Sequence, residues 1–145
     1  MIGIRVTGLL ALTVVGLLAA NVSARAETVS YKADLTGASE VPPTSSKATG
    51  SVKASYDTTS KKLTWSGTYS GLTGEATGAH FHGPAEAGKI AGVAVPLPTA
   101  KTPLEGSAVL TDAQAADLAD GKWYVNVHTA ANPDGEIRGQ VVKSK

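Results

Sequence analysis

The chain of 145 residues has no cysteine, and it has only one phenylalanine, one methionine and three histidines. Without cysteine, no disulfide bond can hold the fold together. A chain of this length can build a single apolar core. We therefore expect its stability to come from that core, from a sheet and from any ion that it binds.

Charge clusters and catalytic signatures are also missing. Charged residues make up 17% of the chain, and the longest run of like charge is the pair Lys61 and Lys62. The lack of a basic stripe or patch argues against nucleic acid and against an acidic membrane surface as partners. The sequence contains no G-x-S-x-G elbow, no P-loop and no hydrolase-type pair of carboxylates, so it gives no sign of these enzyme classes.

The long apolar run of the chain lies at its N-terminus, over residues 9–20. Arg5 precedes this run, and the A-x-A pattern of residues 24–26 follows it. This order predicts a signal peptide over residues 1–26, with cleavage before Glu27. An uncleaved membrane anchor is the alternative interpretation, but the run is short for a membrane span.

Cleavage at this point removes Arg5 and Arg25 and no acidic residue, so the net charge changes from +1 to −1. The remaining residues, 27–145, are predicted to form one domain, since no linker or internal repeat divides them. We expect this domain to be periplasmic or secreted, with no membrane attachment after cleavage.

Short runs of Val, Thr, Tyr and Trp, broken by Gly and Pro, predict β-strands throughout the remaining sequence. Strands are predicted over residues 28–36, 48–56, 61–69, 77–82, 91–97, 106–110, 122–129 and 136–143. Their even spacing indicates an all-β, antiparallel sandwich or barrel of about seven to nine strands. Trp65 and Trp123 are predicted to lie in its core.

One helix interrupts the predicted strands. Thr111 and Gln114 have the spacing of a capping box, in which the hydroxyl and the amide each bond to a backbone N–H of the other residue. Residues 113–119 are mostly good helix formers, and Gly121 provides a C-terminal stop. The sequence thus predicts one short helix between Thr111 and Asp120.

The three histidines lie in two short motifs, His80-Phe81-His82 and Asn126-Val127-His128. Because side chains alternate along a strand, His80 and His82 point to the same face, with their Cα atoms about 6.6 Å apart. Both rings can then reach one ion at about 2.0 Å, and a neighbouring strand could supply His128. The alternative is a set of histidines that bond only to loop carbonyls.

Three imidazoles suit either copper or zinc as the bound metal. The order of affinities among divalent ions places copper above zinc, and an oxidising compartment outside the cytoplasm agrees with copper. We therefore predict copper as the cofactor, with zinc as the alternative.

Five motifs occur in an order that resembles the CHRD domain, a family named after chordin and common in exported bacterial proteins. The resemblance covers nearly all of the chain after the predicted signal peptide. The motifs are Glu40-Val41-Pro42-Pro43, Ser70-Gly71-Leu72, His80-Phe81-His82-Gly83-Pro84-Ala85, Tyr124-Val125-Asn126-Val127-His128-Thr129 and Pro133-Asp134-Gly135-Glu136-Ile137-Arg138-Gly139-Gln140.

The chain also resembles, more distantly, the copper/zinc superoxide dismutases. That family has a Greek-key β-sandwich with His-x-His on one strand, Val-His near the chain end and an arginine beside the copper. The resemblance implies that His80, His82 and His128 hold copper and that Arg138 steers a small anion such as superoxide. The chain lacks the bridging fourth histidine, the zinc loop and the disulfide cysteines. The resemblance therefore implies an antiparallel Greek-key β-sandwich like that of superoxide dismutase, with one mononuclear site and a dismutase-like activity to be tested.

Four further residues have predicted roles near this site. Arg138 either forms a structural ion pair with Glu136 or Glu40, or lies at the mouth of the site as a fixed cation that attracts anions. Glu40 is predicted to anchor its loop. Asn126 and Glu136 are predicted to support the metal ligands from behind, as hydrogen-bonding partners of ligating histidines do.

Two classes of function follow from these residues. The first is an exported metal-binding protein that stores, carries or redox-cycles one copper ion, and a superoxide-reactive enzyme is its sharper form. The second is an extracytoplasmic binding or structural module that binds no metal, in which the histidines only tie loops together.

Overall fold

The computed structural model of the protein describes residue 3 and residues 25–145. Most of the predicted signal peptide, residues 1–26, lies outside the described residues. Within them, no helix combines the length and apolar character that a membrane crossing requires.

The described part of the chain folds into nine strands, one α-helix and one short 3-10 turn at Gly37–Ser39. The helix is α1 (Asp112–Ala119). The strands are β1 (Thr28–Thr36), β2 (Thr49–Asp57), β3 (Lys62–Ser70), β4 (Ala76–His82), β5 (Val93–Pro96), β6 (Leu104–Val109), β7 (Tyr124–Thr129), β8 (Ile137–Gln140) and β9 (Val142–Lys143). The predicted all-β class with one short helix is confirmed.

All strand pairs are antiparallel and belong to one continuous sheet, in the order β5-β4-β7-β8-β1-β2-β3-β6, with β9 also paired to β1. The junction between β8 and β1 is narrow, because Thr36 and Arg138 are its one register pair. The strands β5, β4, β7 and β8 therefore form one half of the sheet, and β1, β2, β3 and β6 form the other.

The two halves of the sheet curl toward each other around the core. Trp65 on β3 packs edge-on against Phe81 on β4, with ring centroids 5.2 Å apart, although these strands are far apart in the sheet order. Phe81 also packs against Trp123, with ring centroids 5.8 Å apart. Trp65 and Trp123 are 3% and 0% exposed, which confirms that both belong to the core.

Side chains alternate between the two faces of each strand, and those that do not enter the core lie on the outer face of the sheet. On β7, Val125 and Val127 join the core, so Tyr124, Asn126 and His128 point the other way. On β4, Ala79 and Phe81 point inward, which leaves His80 and His82 on the same outer face. This face is the one that carries the candidate site.

The predicted last strand, residues 136–143, is wrong as a single element. It divides into β8 and β9 because its partner changes, since β8 pairs mainly with β7 and β9 pairs with β1. Between them, the N–H of Val141 donates to the carbonyl of Trp123. The helix is as predicted, with both hydrogen bonds of the capping box between Thr111 and Gln114. Gly121 follows it with a positive φ of 72°.

Candidate metal centre

The register between β4 and β7 brings the three histidines together. Gly78 of β4 lies opposite His128 of β7, so the His128 ring is adjacent to that of His80, two residues further along β4. One nitrogen from each of His80, His82 and His128 lies within 4.8 Å of the other two. The predicted convergence of the three rings is confirmed.

Backbone carbonyls fix the proton positions of two of the rings. His82 Nδ1 lies 3.0 Å from the carbonyl oxygen of Ala91, and His128 Nδ1 lies 2.8 Å from that of Pro133. A carbonyl can only accept, so each Nδ1 must carry the proton and each Nε2 is left unprotonated in the neutral ring. Two lone pairs are thus held in place by the backbone, as is usual for histidines that bind metals.

The remaining contacts identify where an ion would fit. His82 Nε2 is buried and has no hydrogen-bond partner among the described residues, a costly state for a polar atom unless something occupies the space beside it. His80 Nδ1 lies 3.1 Å from His128 Nε2. With an ion bound, His82 and His128 would ligate through Nε2, and His80 would ligate through Nδ1 after the proton that Nδ1 donates to His128 has moved to His80 Nε2 or to solvent. The residues present fit a metal bound by three nitrogens.

Gly78 keeps the space beside the rings open. A Cβ at this position would lie 3.2 Å from His80 Cε1 and 3.9 Å from His128 Cδ2. A longer side chain would press on both rings. The glycine therefore leaves room for the His80 ring next to that of His128.

The surroundings favour the neutral form of the imidazoles. Burial lowers the pKa of His80, and the neighbouring His128 and His82 lower it further. Burial also lowers the pKa of His82, against the opposing effect of the hydrogen bond with Ala91. Neutral imidazole is the form that binds metal ions, so these two rings are ready to act as ligands at neutral pH.

Tyr124 connects the histidines with Arg138. Its ring is stacked on His82, with centroids 4.7 Å apart and planes 3° from parallel. Arg138 Cζ lies 3.4 Å from the centroid of the same ring, within the range of a cation–π contact. The Tyr124 hydroxyl donates to the Ala91 carbonyl at 3.2 Å and lies 3.2 Å from the Ala91 N–H.

Segment 83–92 covers this face of the sheet and is fastened by the same residues. Besides the contacts of Ala91, the Nη2 of Arg138 donates to the carbonyl of Lys89 at 2.6 Å. Arg138 is 2% exposed as a result. It forms no ion pair within 4.0 Å with Glu136 or Glu40. Its guanidinium lies beneath the segment, against the Tyr124 ring.

Glu136 joins three loops and makes no hydrogen bond to a histidine. Its fully buried carboxylate accepts hydrogen bonds from the side chains of Ser46, Thr73, Thr129 and Asn132 and from the backbone N–H of Thr73. Burial raises the pKa of Glu136, but the bonds from Ser46, Thr129 and Thr73 outweigh it and lower the pKa to about 2. Glu136 therefore supports the site through the loop that includes Pro133.

Asn126 lies beside the histidines, where its side chain raises the pKa of His82, and Glu40 lies on the other side of Asn126. Asn126 lies opposite His80 on β4 and opposite Arg138 on β8. Its Nδ2 lies 3.4 Å from the carbonyl oxygen of Asp134. Glu40 is 5% exposed, and burial is the main reason that its pKa is raised to about 7. Arg138, Asn126 and the Val41 backbone lower this pKa, and Asp134 raises it.

Sequence reasoning did not single out Tyr124, Gly78 or the two carbonyls of Ala91 and Pro133. For Tyr124 a signal existed, because it shares the β7 face of Asn126 and His128. The carbonyls belong to segments without periodicity, where nothing in the sequence indicates which oxygen faces a ring.

Comparison with known proteins agrees with the motif pattern. Searches of curated proteins and of solved structures give no significant match to the chain. The model of one protein family, the CHRD domain, matches residues 31–141, a span that includes every strand from β2 to β8 and all three histidines. The chain therefore belongs to the CHRD domain family.

Proposed function

We propose that this protein binds one copper ion through His80, His82 and His128. The observation that carries the proposal is the meeting of three ring nitrogens within 4.8 Å, one of which, His82 Nε2, is buried without a partner. Carbonyls hold the protons of His82 and His128 on the opposite nitrogens. Two of the three ligands are therefore already oriented before an ion binds, so the free-energy cost of orienting the ligands is small.

Copper fits this ligand set better than zinc does. All three ligands are imidazoles, and the affinity of nitrogen sites for divalent ions is highest for copper. No cysteine is available to complete a tetrahedral structural zinc site. Zinc, with water in the fourth position, is the second choice.

The proposed physiological role is storage, transport or redox cycling of the ion outside the cytoplasm. Copper, when bound, supplies one-electron chemistry. The residues of the chain would hold it in place, with Tyr124 stacked on one ligand and segment 83–92 excluding water from that side. Superoxide is the first substrate to test, in line with the order of His-x-His, Val-His and a following arginine.

Export is part of the proposal and rests on the sequence of residues 1–26. The apolar run, the preceding Arg5 and the A-x-A pattern support cleavage before Glu27. The domain that remains would be a single unit. N-terminal sequencing of the protein from a host with a periplasm tests this, and retention of Met1 would contradict it.

The second candidate function is that of a binding or structural module that binds no metal. One distance between two of the histidines favours it. His80 Nδ1 and His128 Nε2 lie 3.1 Å apart, which is a hydrogen bond that satisfies both atoms without an ion. The buried His82 Nε2 remains unexplained in that case.

A metal titration tests the proposal. Purified protein is titrated with Cu(II) and, separately, Zn(II) in the presence of a competing chelator, beside His82→Gln, His128→Gln and the control Thr64→Ala, an exposed position on β3. We expect one ion per chain, tighter binding of copper, and a loss of at least about tenfold in both histidine variants, with no loss in the control.

Equal binding in all four proteins would overturn the proposed site, and no binding at all would leave the module without metal. Copper-loaded protein that consumes no more superoxide than free copper would leave storage or transport as the role. Superoxide consumption above that of free copper, lost in His128→Ala together with the ion and lost in Arg138→Ala with the ion still bound, would support an enzyme.

A further inference from the structure

A cavity of about 440 Å³ lies at Arg138, on the same face of the sheet as the histidine cluster. One wall is the loop that follows β1, and the opposite wall is segment 83–92. Arg138 and Gln140 of β8 also line it. The remaining lining residues are small or apolar, apart from Ser39 and Glu40: Ala38, Val41, Pro43, Ala87 and Gly88.

Two buried groups of opposite charge line this cavity without pairing to each other. Arg138 is 2% exposed and Glu40 is 5% exposed. No nitrogen of Arg138 comes within 4.0 Å of a Glu40 oxygen. Buried charges are normally paired, since removal from water without a partner is costly. Both groups line the cavity, and neither has an oppositely charged group within 4.0 Å among the described residues.

Arg138 has hydrogen-bonding capacity to spare. A guanidinium carries five N–H donors in a planar fork, and the hydrogen bond found for it among the described residues goes from Nη2 to the Lys89 carbonyl. The Tyr124 ring holds the fork in place from one side. A planar fork held in this way matches a carboxylate, which can accept two parallel hydrogen bonds.

Glu40 offers the complementary group. The Asn126 side chain and the Val41 backbone lie close enough to lower the pKa of its carboxyl, and its Oε1 is sealed from water with no hydrogen bond of normal geometry among the described residues. Asn126 Nδ2 and Glu40 Oε1 both crowd the Cα of Gly135, where a Cβ would meet them at 2.6 and 2.3 Å. The carboxyl is thus confined by its neighbours, and because Glu40 lines the cavity, an ammonium group in the cavity could lie near it.

We propose that this cavity binds a small zwitterion of the α-amino acid class. Its carboxylate would lie on the Arg138 fork, and its ammonium group would lie toward Glu40. A simple carboxylate would leave Glu40 without a partner, and a simple amine would leave Arg138 without one. The apolar walls and the volume leave room for a short aliphatic side chain.

A set of three matched ligands tests this proposal by NMR titration of ¹⁵N-labelled protein. Alanine carries both groups, propionate lacks the ammonium group, and ethylamine lacks the carboxylate. The titration is run at about pH 8, above the pKa of Glu40 of about 7, so that its carboxyl is ionised. We expect alanine to bind at least about tenfold more tightly than either analogue, since each lost charge pair weakens binding.

Substitutions of the two charged residues test where the ligand lies within the cavity. Glu40→Gln should remove the preference for alanine over propionate while the backbone spectrum stays folded, and Arg138→Lys should weaken both. Glu105→Gln, at an exposed position on β6, is the matched control and should change nothing. Because Arg138→Lys could unfold, the Glu40→Gln result decides the matter on its own.

Three results would overturn the proposal. These are equal binding of alanine and propionate, no shifts for residues around the cavity with any of the three ligands, and an unchanged preference in Glu40→Gln. The second would mean that the cavity holds only water. Metal binding by the histidines is measured separately, so this outcome leaves the copper proposal untouched.

Discussion

At the scale of single residues, the proton positions of two rings decide what the cluster can bind. His82 and His128 each donate Nδ1–H to a carbonyl, so both keep an unprotonated Nε2, and that of His128 lies 3.1 Å from His80 Nδ1. A surface cluster of histidines would lack this arrangement, because its protons could move freely between the two nitrogens. The backbone oxygens of Ala91 and Pro133 thus belong to the site as much as the rings do.

Replacement of Gly78 should damage the site without damaging the fold. In Gly78→Val, the added atoms would displace the His80 ring, whose Cε1 lies 3.2 Å from the position of the new Cβ. We expect copper affinity to fall by about tenfold or more, since small displacements of a ligand have effects of this size. The matched control is Gly74→Val, where a Cβ meets nothing within 4 Å. Equal affinity in both variants would contradict the assigned position of the ring.

Loss of the Glu136 charge should destabilise the fold and change its response to acid. In the folded protein its pKa is about 2, below the ordinary value of 4.5. The carboxylate therefore stabilises the fold above about pH 4.5, and this contribution is lost as the pH falls toward 2. Glu136→Gln should lose about 2 kcal/mol at neutral pH, a typical value for hydrogen bonds to a charged group.

Urea denaturation at several pH values measures this effect, with Glu105→Gln as the exposed control. The wild type should lose stability between about pH 5 and about pH 2 more steeply than Glu136→Gln does. Parallel curves for the two proteins would show that the Glu136 carboxyl has no depressed pKa.

At the scale of elements, the alternation of side chains along two strands was enough to predict which site residues share a face. The period of two placed His80 with His82 and, on β7, Asn126 with His128. It could not give the register between β4 and β7, which pairs Gly78 with His128. That register depends on packing of Phe81, Val125 and their neighbours in the core, and such packing is not visible in one sequence.

The helix was predictable for a local reason, because its start is a hydrogen-bonded motif of four residues. Thr111→Ala removes the hydroxyl that accepts from the N–H of Gln114 at 3.1 Å. We expect a loss of about 1 kcal/mol in the free energy of unfolding. Thermal or urea unfolding measures it, with Thr64→Ala as the control. A change of less than about 0.3 kcal/mol would mean that the cap contributes little to stability.

At the scale of the whole molecule, the segments that cover the outer face were beyond sequence reasoning. The loop after β1 and segment 83–92 have no periodic pattern, yet they bury Arg138, Tyr124 and Asn126. Arg138 was therefore expected either in an ion pair or at an open rim, and it lies instead under a covering segment. The division of the last strand into β8 and β9 has the same origin, since it depends on a partner strand at the other end of the chain.

The same covering segments help to assemble the proposed copper site, so this site exists only in the folded protein. Residues from two strands and two loops meet at the histidines, so the unfolded chain has no comparable site. An ion that binds only the folded form should raise its stability in proportion to its affinity and concentration. Binding that were merely adventitious, on scattered side chains, would not do so.

Electron paramagnetic resonance of the protein loaded with one equivalent of Cu(II) tests this account most directly, because nitrogen couplings report which atoms touch the ion. We predict a single species coordinated by three imidazole nitrogens, which loses one nitrogen in His82→Gln and is unchanged in Gly74→Val. A mixture of species, or a spectrum that His82→Gln leaves unaltered, would contradict the assignment of the three histidines as one metal site.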